Sequence, residues 1–279
     1  MAPLYGVMPA SHFVSPLCIG EPMADEILCT IQESIATLTL NRPEKRNAIN
    51  SAMMEQLTRC LHELEHHSAV RVVVVRGAGT VFSAGRDLRE MGQQQQSGEA
   101  PRADIVAVFH QLEALRHPTI AMVQGDALAG GCEMALHCDL RIAADTAHFG
   151  MPLARRGLMV PFALTCKLVE VIGTALTKQF LLTAQPIVAS RAYEIGLVHQ
   201  VVPLADLEEA TYAMARSVAE NAPLALQGTK TAIHRAVSQS AHIPHADLDE
   251  LVEQVRHSAD AREGVRAWIE KRPPVFRGV

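Results

Sequence analysis

Strand-like runs of β-branched residues alternate with helix-like segments over the first two thirds of the chain, and this alternation limits the possible folds most strongly. Strands are predicted at "RVVVVRG" (71–77), "TIAMVQG" (119–125) and "DLRIAAD" (139–145), with helical spacing between them. Strands connected through helices form a parallel sheet with right-handed crossovers. The predicted fold class is therefore α/β, with an opening hairpin around residues 32–34.

The last third of the chain has a different pattern, because almost everything after residue 161 has helical spacing. A helix predicted at 205–220 places apolar residues on one stripe suited to packing on a neighbour, namely Leu207, Ala210, Met214 and Val218. The glutamine-rich stretch 92–98 is predicted to be a mobile loop. The expected division is an N-terminal extension (1–24), a core (25–203) and a helical region (204–279).

Composition excludes several classes of function. The net charge of −5 provides no basic field that would attract nucleic acid or an anionic membrane. No apolar run reaches membrane-spanning length. The six cysteines have no metal-ligand spacing, so no metal site is predicted, and a chain of 279 residues does not need disulfides to fold. These features favour a reducing compartment, which predicts a cytoplasmic protein.

The stretch "ALAGGCEMALHCDL" (127–140) places a glycine pair and a carboxylate where a helix is predicted to begin. One interpretation is local: Gly130 and Gly131 form a turn, and Glu133 gains stability from the helix dipole. The other interpretation is functional, because backbone N–H groups at a helix start can bind developing negative charge. The residues of this stretch alone leave both interpretations open.

Five segments of the chain occur in a characteristic order: "LNRPEKRNAI" (40–49), "FSAGRDL" (82–88), "AGGCEMALHCDLRIA" (129–143), "AYEIGLVHQVVP" (192–203) and "WIEKRPPVFRG" (268–278). Crotonases, the enoyl-CoA hydratase/isomerase superfamily, have such segments in this order, and the chain resembles that family from about residue 27 onward. The resemblance implies a spiral of ββα turns with a C-terminal helical oligomerisation region. It also implies a homotrimer or a dimer of trimers, acyl-CoA thioester substrates and a place in fatty acid metabolism.

The resemblance also implies a catalytic arrangement. The N–H groups of Arg86 and Gly130 would form an oxyanion hole for the thioester, and each such donor is typically worth about 3–4 kcal/mol. Glu133 would be the catalytic acid/base. Cys132 and His137 are expected to be packing residues, and Asp87 is expected to cap the next helix.

Contacts to coenzyme A are implied in the same way. Lys45 would lie near the phosphates, and Ala48 and Ala84 would lie where the adenine packs. Lys271 and Phe276 resemble residues that reach CoA from an adjoining subunit. No further cofactor is expected, because CoA is part of the substrate.

One position departs from the family pattern. Hydratases carry a second glutamate in a segment that reads "FGMPLARRGL" (149–158) here, and Leu153 takes its place. Leucine cannot orient a water molecule or supply a proton, so efficient hydration is not expected. Segment 146–169 contains no Asp or Glu. The predicted function is an acyl-CoA hydratase/isomerase-type enzyme with a single glutamate, and the alternative is a non-catalytic acyl-CoA binding protein.

Overall fold

The chain folds around two sheets covered by helices, as a computed structural model shows. The model describes residues 25–97, 104–237 and 246–277. The strands of these residues are β1 (Ile27–Gln32), β2 (Ile35–Leu40), β3 (Val72–Gly77), β4 (Thr119–Val123), β5 (Ala127–Leu128), β6 (Leu140–Ala144), β7 (His148–Gly150), β8 (Ile187–Val188) and β9 (Gln200–Val202). The predicted extension 1–24 lies outside the described residues.

The helices of the same ranges follow in chain order. They are α1 (Ser51–Glu65), α2 (Leu88–Ser97), α3 (Ile105–Ala114), α4 (Gly130–Leu136), α5 (Phe162–Thr183), α6 (Ala189–Glu194), α7 (Leu207–Ala219), α8 (Pro223–Val237), α9 (Ala246–Arg256) and α10 (Ala259–Ile269). Short 3₁₀ helices lie at Pro43–Lys45, Ala154–Arg156 and Leu204–Asp206.

Within the described residues, the larger sheet has the strand order β1-β2-β3-β4-β6-β9, and the smaller one has the order β5-β7-β8. The strands β1 and β2 form the predicted antiparallel hairpin, and the later strands of the larger sheet pair in parallel. The run of valines at 72–75 is buried because helices cover both faces of the parallel strands. The expected α/β class is confirmed.

Local chemistry explains where the first helix begins. The side chain of Asn50 accepts a hydrogen bond from the N–H of Met53 at 2.9 Å, so Asn50 is the N-cap of α1. Met54, Leu57, Leu61 and Leu64 then point into the main core, as their spacing predicts.

One expectation needs correction. The stretch 92–98 is not a loop as far as the structure describes it, because residues 92–97 belong to α2. Asp87 begins this helix, since its Oδ1 accepts hydrogen bonds from the N–H groups of Arg89 and Glu90.

The stripe on α7 packs against the chain's own larger sheet, where Leu207 is buried beside Val72 and Val74. Part of the segment predicted for contacts between subunits is therefore used within the chain.

The helix α10 folds back onto the 3₁₀ helix Ala154–Arg156. A Cβ at Gly264 would overlap the carbonyl oxygen of Arg156, and a Cβ at Gly157 would lie 2.8 Å from the N–H nitrogen of Ala261. Glycine at 264 is therefore what permits this close approach. The contact fixes one wall of the site described below.

We expect Gly264→Ala to lower the free energy of unfolding by about 1–3 kcal/mol, because the added methyl group forces α10 away from Arg156. The measurement is urea-induced unfolding. The matched control is Gly228→Ala in α8, where nothing lies within 4 Å of an added Cβ. That change should raise stability by up to about 1 kcal/mol. Wild-type stability in the Gly264 variant would contradict the tight contact.

Candidate active site

Two backbone turns meet at the centre of the molecule. The segment 83–87 is held beside residues 46–49, because the N–H of Ile49 bonds the carbonyl of Gly85 at 2.8 Å and the N–H of Asp87 bonds the carbonyl of Ile49 at 2.9 Å. Gly85 has φ +88°, and a Cβ there would lie 2.9 Å from the nitrogen of Gly130. Only glycine allows the two turns to approach so closely.

The glycine pair at the start of α4 serves two purposes. A Cβ at Gly131 would overlap the carbonyl oxygen of Ser83, so this glycine allows the helix to pack on the first turn. A Cβ at Gly130 would lie 3.6 Å from the nitrogen of Arg86, which makes the N–H groups of Arg86 and Gly130 neighbours. Ala129, just before them, has φ 49° and ψ −121°. A non-glycine residue in this region carries strain of about 1–3 kcal/mol.

Both N–H groups remain available to a ligand. Among the backbone hydrogen bonds of the described residues, neither Arg86 nor Gly130 donates its N–H. Gly130 is the first residue of α4, so it has no acceptor within the helix. Arg86 lies opposite Ile49 in an isolated parallel bridge. The two hydrogen bonds of this bridge join Ile49 to Gly85 and Asp87, so they do not use the N–H of Arg86. The arrangement offers two adjacent fixed donors for one oxygen atom.

Glu133 lies in the first turn of α4 and is 6% exposed. Burial, and after it the nearby carboxylate of Asp104, raise the pKa of Glu133 to about 8 against the opposing effect of the Arg86 guanidinium. The carboxyl group is therefore mostly protonated at neutral pH. A pKa in this range suits a group that both donates and accepts a proton.

Sequence reasoning missed the carboxylate of Asp104. The residue is the N-cap of α3, and its Oδ1 accepts a hydrogen bond from the N–H of Val106 at 3.0 Å. A cap can be recognised from the sequence, but its proximity to Glu133 depends on how α3 packs against α4. The side chain of Arg86 also enters the site, whereas the resemblance implied a role only for its N–H.

The two donors and Glu133 open into a cavity of about 580 Å³. Its other walls come from the start of α3, the segment 151–163 and the helix α9. Leu153 lies on the same cavity wall as Arg156, and its side chain is packed partly against the main core. The position where hydratases carry a second glutamate thus does face the cavity that holds Glu133, as the resemblance implies.

The residues predicted to bind CoA lie outside this cavity. Lys45 is exposed at the end of the 3₁₀ helix Pro43–Lys45, and Ala48 and Ala84 are half-buried on adjoining segments. The N–H of Ala84 bonds the carbonyl of Arg46 at 3.0 Å. The Arg46 side chain pairs with Asp126 at 2.7 Å.

Lys271 and Phe276 are exposed beyond α10 and do not line the cavity either. The roles given to all five residues in binding CoA remain predictions.

The neighbours of Glu133 on α4 are packing groups, as expected. Cys132 is buried, and burial raises the pKa of its thiol to about 12, which leaves it unreactive. Burial lowers the pKa of His137 to about 4, and its Nδ1 lies 2.8 Å from the carbonyl oxygen of Glu133. The ring is therefore a neutral, hydrogen-bonded core residue.

One group of side chains could hold a metal ion by geometry. The ligand atoms of His110, Glu113 and His137 lie within 4.8 Å of one another. Glu113, however, pairs with the ammonium group of Lys167 at 2.7 Å, which already supplies the positive charge. That no metal is needed stays a prediction.

Comparison with known proteins decides the family. The model of the enoyl-CoA hydratase/isomerase family matches residues 30–279. The chain belongs to this family. The resemblance inferred from the five segments is therefore confirmed, and so is the expected crotonase-type fold. In the described ranges, none of the helices of this family member has the length and apolar character needed to cross a membrane.

Several relatives match over nearly their whole length. A probable enoyl-CoA hydratase of Mycobacterium tuberculosis is 35% identical over 90% of this chain and 98% of its own. A short-chain-enoyl-CoA hydratase of Clostridium acetobutylicum is 35% identical over 89% of this chain and 96% of its own. The crystal structure of carnitinyl-CoA hydratase from Mycobacterium avium has a TM-score of 0.82 and 31% identity, covering 92% of this chain and 100% of that one.

The pKa of Glu133 makes a prediction about stability. Because folding raises this pKa from 4.5 to about 8, the folded state loses stability as the pH rises through that window and Glu133 ionises. Glu133→Gln removes the ionisable group. We therefore expect the difference in melting temperature, variant minus wild type, to be more positive at about pH 8.5 than at about pH 5.

Thermal unfolding at the two pH values measures the effect. The control is Glu220→Gln, an exposed change at the end of α7, which should alter the melting temperature equally at both. An equal difference for the Glu133 variant at both pH values would mean that its pKa is ordinary.

Proposed function

We propose that this protein is an acyl-CoA enzyme in which the N–H groups of Arg86 and Gly130 bind the thioester oxygen and Glu133 is the acid/base. The observation that carries the proposal is the juxtaposition of two unused backbone donors with a buried glutamate on one cavity. Backbone donors fixed before the reaction stabilise an enolate oxygen strongly, because they need no rearrangement as charge develops.

The pKa of Glu133 supports a proton shuttle. At pH 7, a carboxyl group with a pKa of about 8 is ionised in roughly a tenth of the molecules. The ionised form removes a proton from a carbon next to the thioester, and the oxyanion hole holds the resulting enolate. The protonated form then returns the proton, either to the same carbon or to one further along the acyl chain. These proton transfers isomerise a double bond when the carbon that loses the proton and the carbon that receives it are different.

Leu153 argues against rapid hydration. Hydration requires a water molecule to be oriented for attack while a proton reaches the neighbouring carbon, and two carboxyl groups usually share this work. The apolar side chain of Leu153 can do neither part. Asp104 is a second carboxylate near Glu133, and its effect on the pKa of Glu133 favours the protonated form. We therefore favour proton transfer over water addition, and the family names of the relatives support acyl-CoA as the substrate.

A non-catalytic acyl-CoA binding protein is the second candidate, and Leu153 is the observation that favours it. The two candidates differ in one measurement. A screen of CoA thioesters by mass spectrometry would find a product only if the protein is an enzyme. Binding without any product would favour the second candidate.

Assembly and location belong to the same proposal. A homotrimer or a dimer of trimers is supported by large apolar side chains exposed on helices of the last third, such as Leu182 (78%), Leu224 (82%) and Ile233 (56%). Among the described residues, Cys29, Cys60, Cys132, Cys138 and Cys166 form no disulfide, which supports a reducing compartment and therefore the cytoplasm.

Glu133→Gln should lower kcat by about 10²–10⁴-fold on whichever thioester the screen identifies, because glutamine keeps the shape and loses the transferable proton. The affinity for the thioester should stay close to that of wild type, measured by isothermal titration calorimetry. Glu220→Gln is the control and should keep full turnover. Turnover within a few-fold of wild type in the Glu133 variant would leave Glu133 with only the local role at the helix start.

Leu153→Glu should raise the hydration rate of crotonyl-CoA, which we expect wild type to hydrate slowly. A second carboxyl group typically contributes about 10²–10⁴-fold to such a step. Leu153→Gln is the matched control, since it can bind water but cannot transfer a proton, and it should gain far less. The measurement is a hydration assay on wild type and the two variants. Fast hydration by wild type would show that another group already transfers the second proton. Asp104 would be the first candidate to test.

A further inference from the structure

Among the described residues that line the cavity, Arg156 is an arginine with no carboxylate acting on it. Arg86 lies near the carboxylates of Glu90, Asp104 and Glu133, although its Nε has no hydrogen-bond partner, and Arg256 pairs with Glu253 at 2.7 Å. The guanidinium of Arg156 makes no hydrogen bond and no ion pair among the described residues, and no nearby carboxylate offsets its charge.

The acidic groups of the cavity do not reach Arg156 either. Burial alone accounts for the lowered pKa of Arg156, and no carboxylate acts on it. This holds for Asp249 and Glu253 of α9, which line the same cavity. Arg156 is half-buried, and a partly desolvated guanidinium without a counterion favours the binding of an anion, because an arginine stays charged at any ordinary pH.

A fully buried arginine, Arg141, shows how the chain treats a structural guanidinium. The Nε of Arg141 donates to the carbonyl of Leu197 at 2.7 Å, and its Nη1 donates to the carbonyl of Cys138 at 2.6 Å. Arg141 therefore has fixed partners close to the end of α4. The half-buried Arg156 has no such partners among the described residues, so its donors are available to a ligand in the cavity.

The backbone holds Arg156 in place for such a role. It is the last residue of the 3₁₀ helix Ala154–Arg156, and Leu153 precedes it by three positions. Side chains three apart eclipse each other in this type of helix, so Leu153 and Arg156 share one face, and both line the cavity. The contact of Gly264 with the Arg156 carbonyl holds this turn against α10.

An anion that reaches Arg156 has to come from the acyl end of the ligand. The predicted CoA residues Lys45, Ala48 and Ala84 lie outside the cavity, whereas Arg156 lines it together with Glu133 and Leu153. A guanidinium presents parallel donors that match the two oxygens of a carboxylate. A carboxylate at the far end of the acyl chain would supply the missing counterion.

We propose that the substrate is a CoA thioester of a dicarboxylic acid, and that Arg156 binds its free carboxylate. This proposal rests on the proposed function, because it assumes that the thioester lies at the N–H groups of Arg86 and Gly130. Leu153 then contacts the carbon chain between the two ends. The carboxylate fixes the acyl chain so that the carbon to be protonated lies beside Glu133.

The test compares saturated thioesters that differ only in the free carboxylate. Adipyl-CoA is paired with hexanoyl-CoA, and glutaryl-CoA with pentanoyl-CoA, and binding to the full-length protein is measured by isothermal titration calorimetry. One of the two dicarboxylic thioesters should bind wild type about ten- to a hundredfold more tightly than its partner, which is the usual contribution of a charged hydrogen bond.

Arg156→Met should abolish this preference, and Arg156→Lys should keep part of it. Arg155→Met is the matched control, because its side chain is exposed next to Arg156, and it should keep the full preference. Melting temperatures show whether each variant is folded. If Arg156→Met does not fold, the test rests on Arg156→Lys and on the ratio of the wild-type affinities for the dicarboxylic and monocarboxylic thioesters.

Two outcomes would overturn the assignment of Arg156. One is tighter or equal binding of the monocarboxylic thioesters by wild type, and the other is an unchanged preference in folded Arg156→Met. A failure of the proposed function looks different, because wild type would then bind none of the four thioesters.

Discussion

The close packing of the start of α4 on the segment 83–87 is the contact on which the site depends. Gly131 allows the helix to rest on the carbonyl of Ser83, and Gly85 allows the other turn to reach the nitrogen of Gly130. The hydroxyl of Ser83 fixes its own segment by bonding the carbonyl of Asn47 at 2.8 Å. A side chain at either glycine would separate the two N–H groups, and no other part of the site could compensate.

The electrostatics of Glu133 favour the functional interpretation of the glycine pair over the local one. A purely local role at a helix start would favour the ionised carboxylate and so lower its pKa. That interaction is typically worth about 0.3–1 kcal/mol, whereas each pKa unit corresponds to about 1.4 kcal/mol. The pKa is instead raised to about 8, since burial and the charge of Asp104 outweigh both the dipole and Arg86. Glu133 is thus placed against its local electrostatic preference, as catalytic groups often are.

Sequence reasoning predicted the features that short segments determine, and it missed features that depend on how distant segments pack together. The hairpin and the glycine turns follow from short patterns that few conformations satisfy. Residues 92–97 were wrongly predicted as a loop because glutamine is common in exposed helices as well as in loops. Asp104 and Arg156 carry no local signal of a site. Their importance appears only when α3, α4 and the 3₁₀ helix 154–156 are seen around one cavity.

The site has one part made of backbone N–H groups and another made of side chains on the cavity wall. This difference explains why members of one family can catalyse different reactions. The proposed oxyanion site uses main-chain atoms and requires only that glycine stay at the contact points, so side-chain changes elsewhere leave it intact. The acyl wall is built from side chains of α3, α9 and the segment 151–163, which can change one at a time. The backbone of the turn that carries Leu153 and Arg156 is held by α10 through Gly264, whereas Gly85 and Gly131 hold the two N–H groups. Under the proposed function, substitutions on that turn therefore alter the chemistry at the acyl chain while the thioester oxygen stays at the same N–H groups.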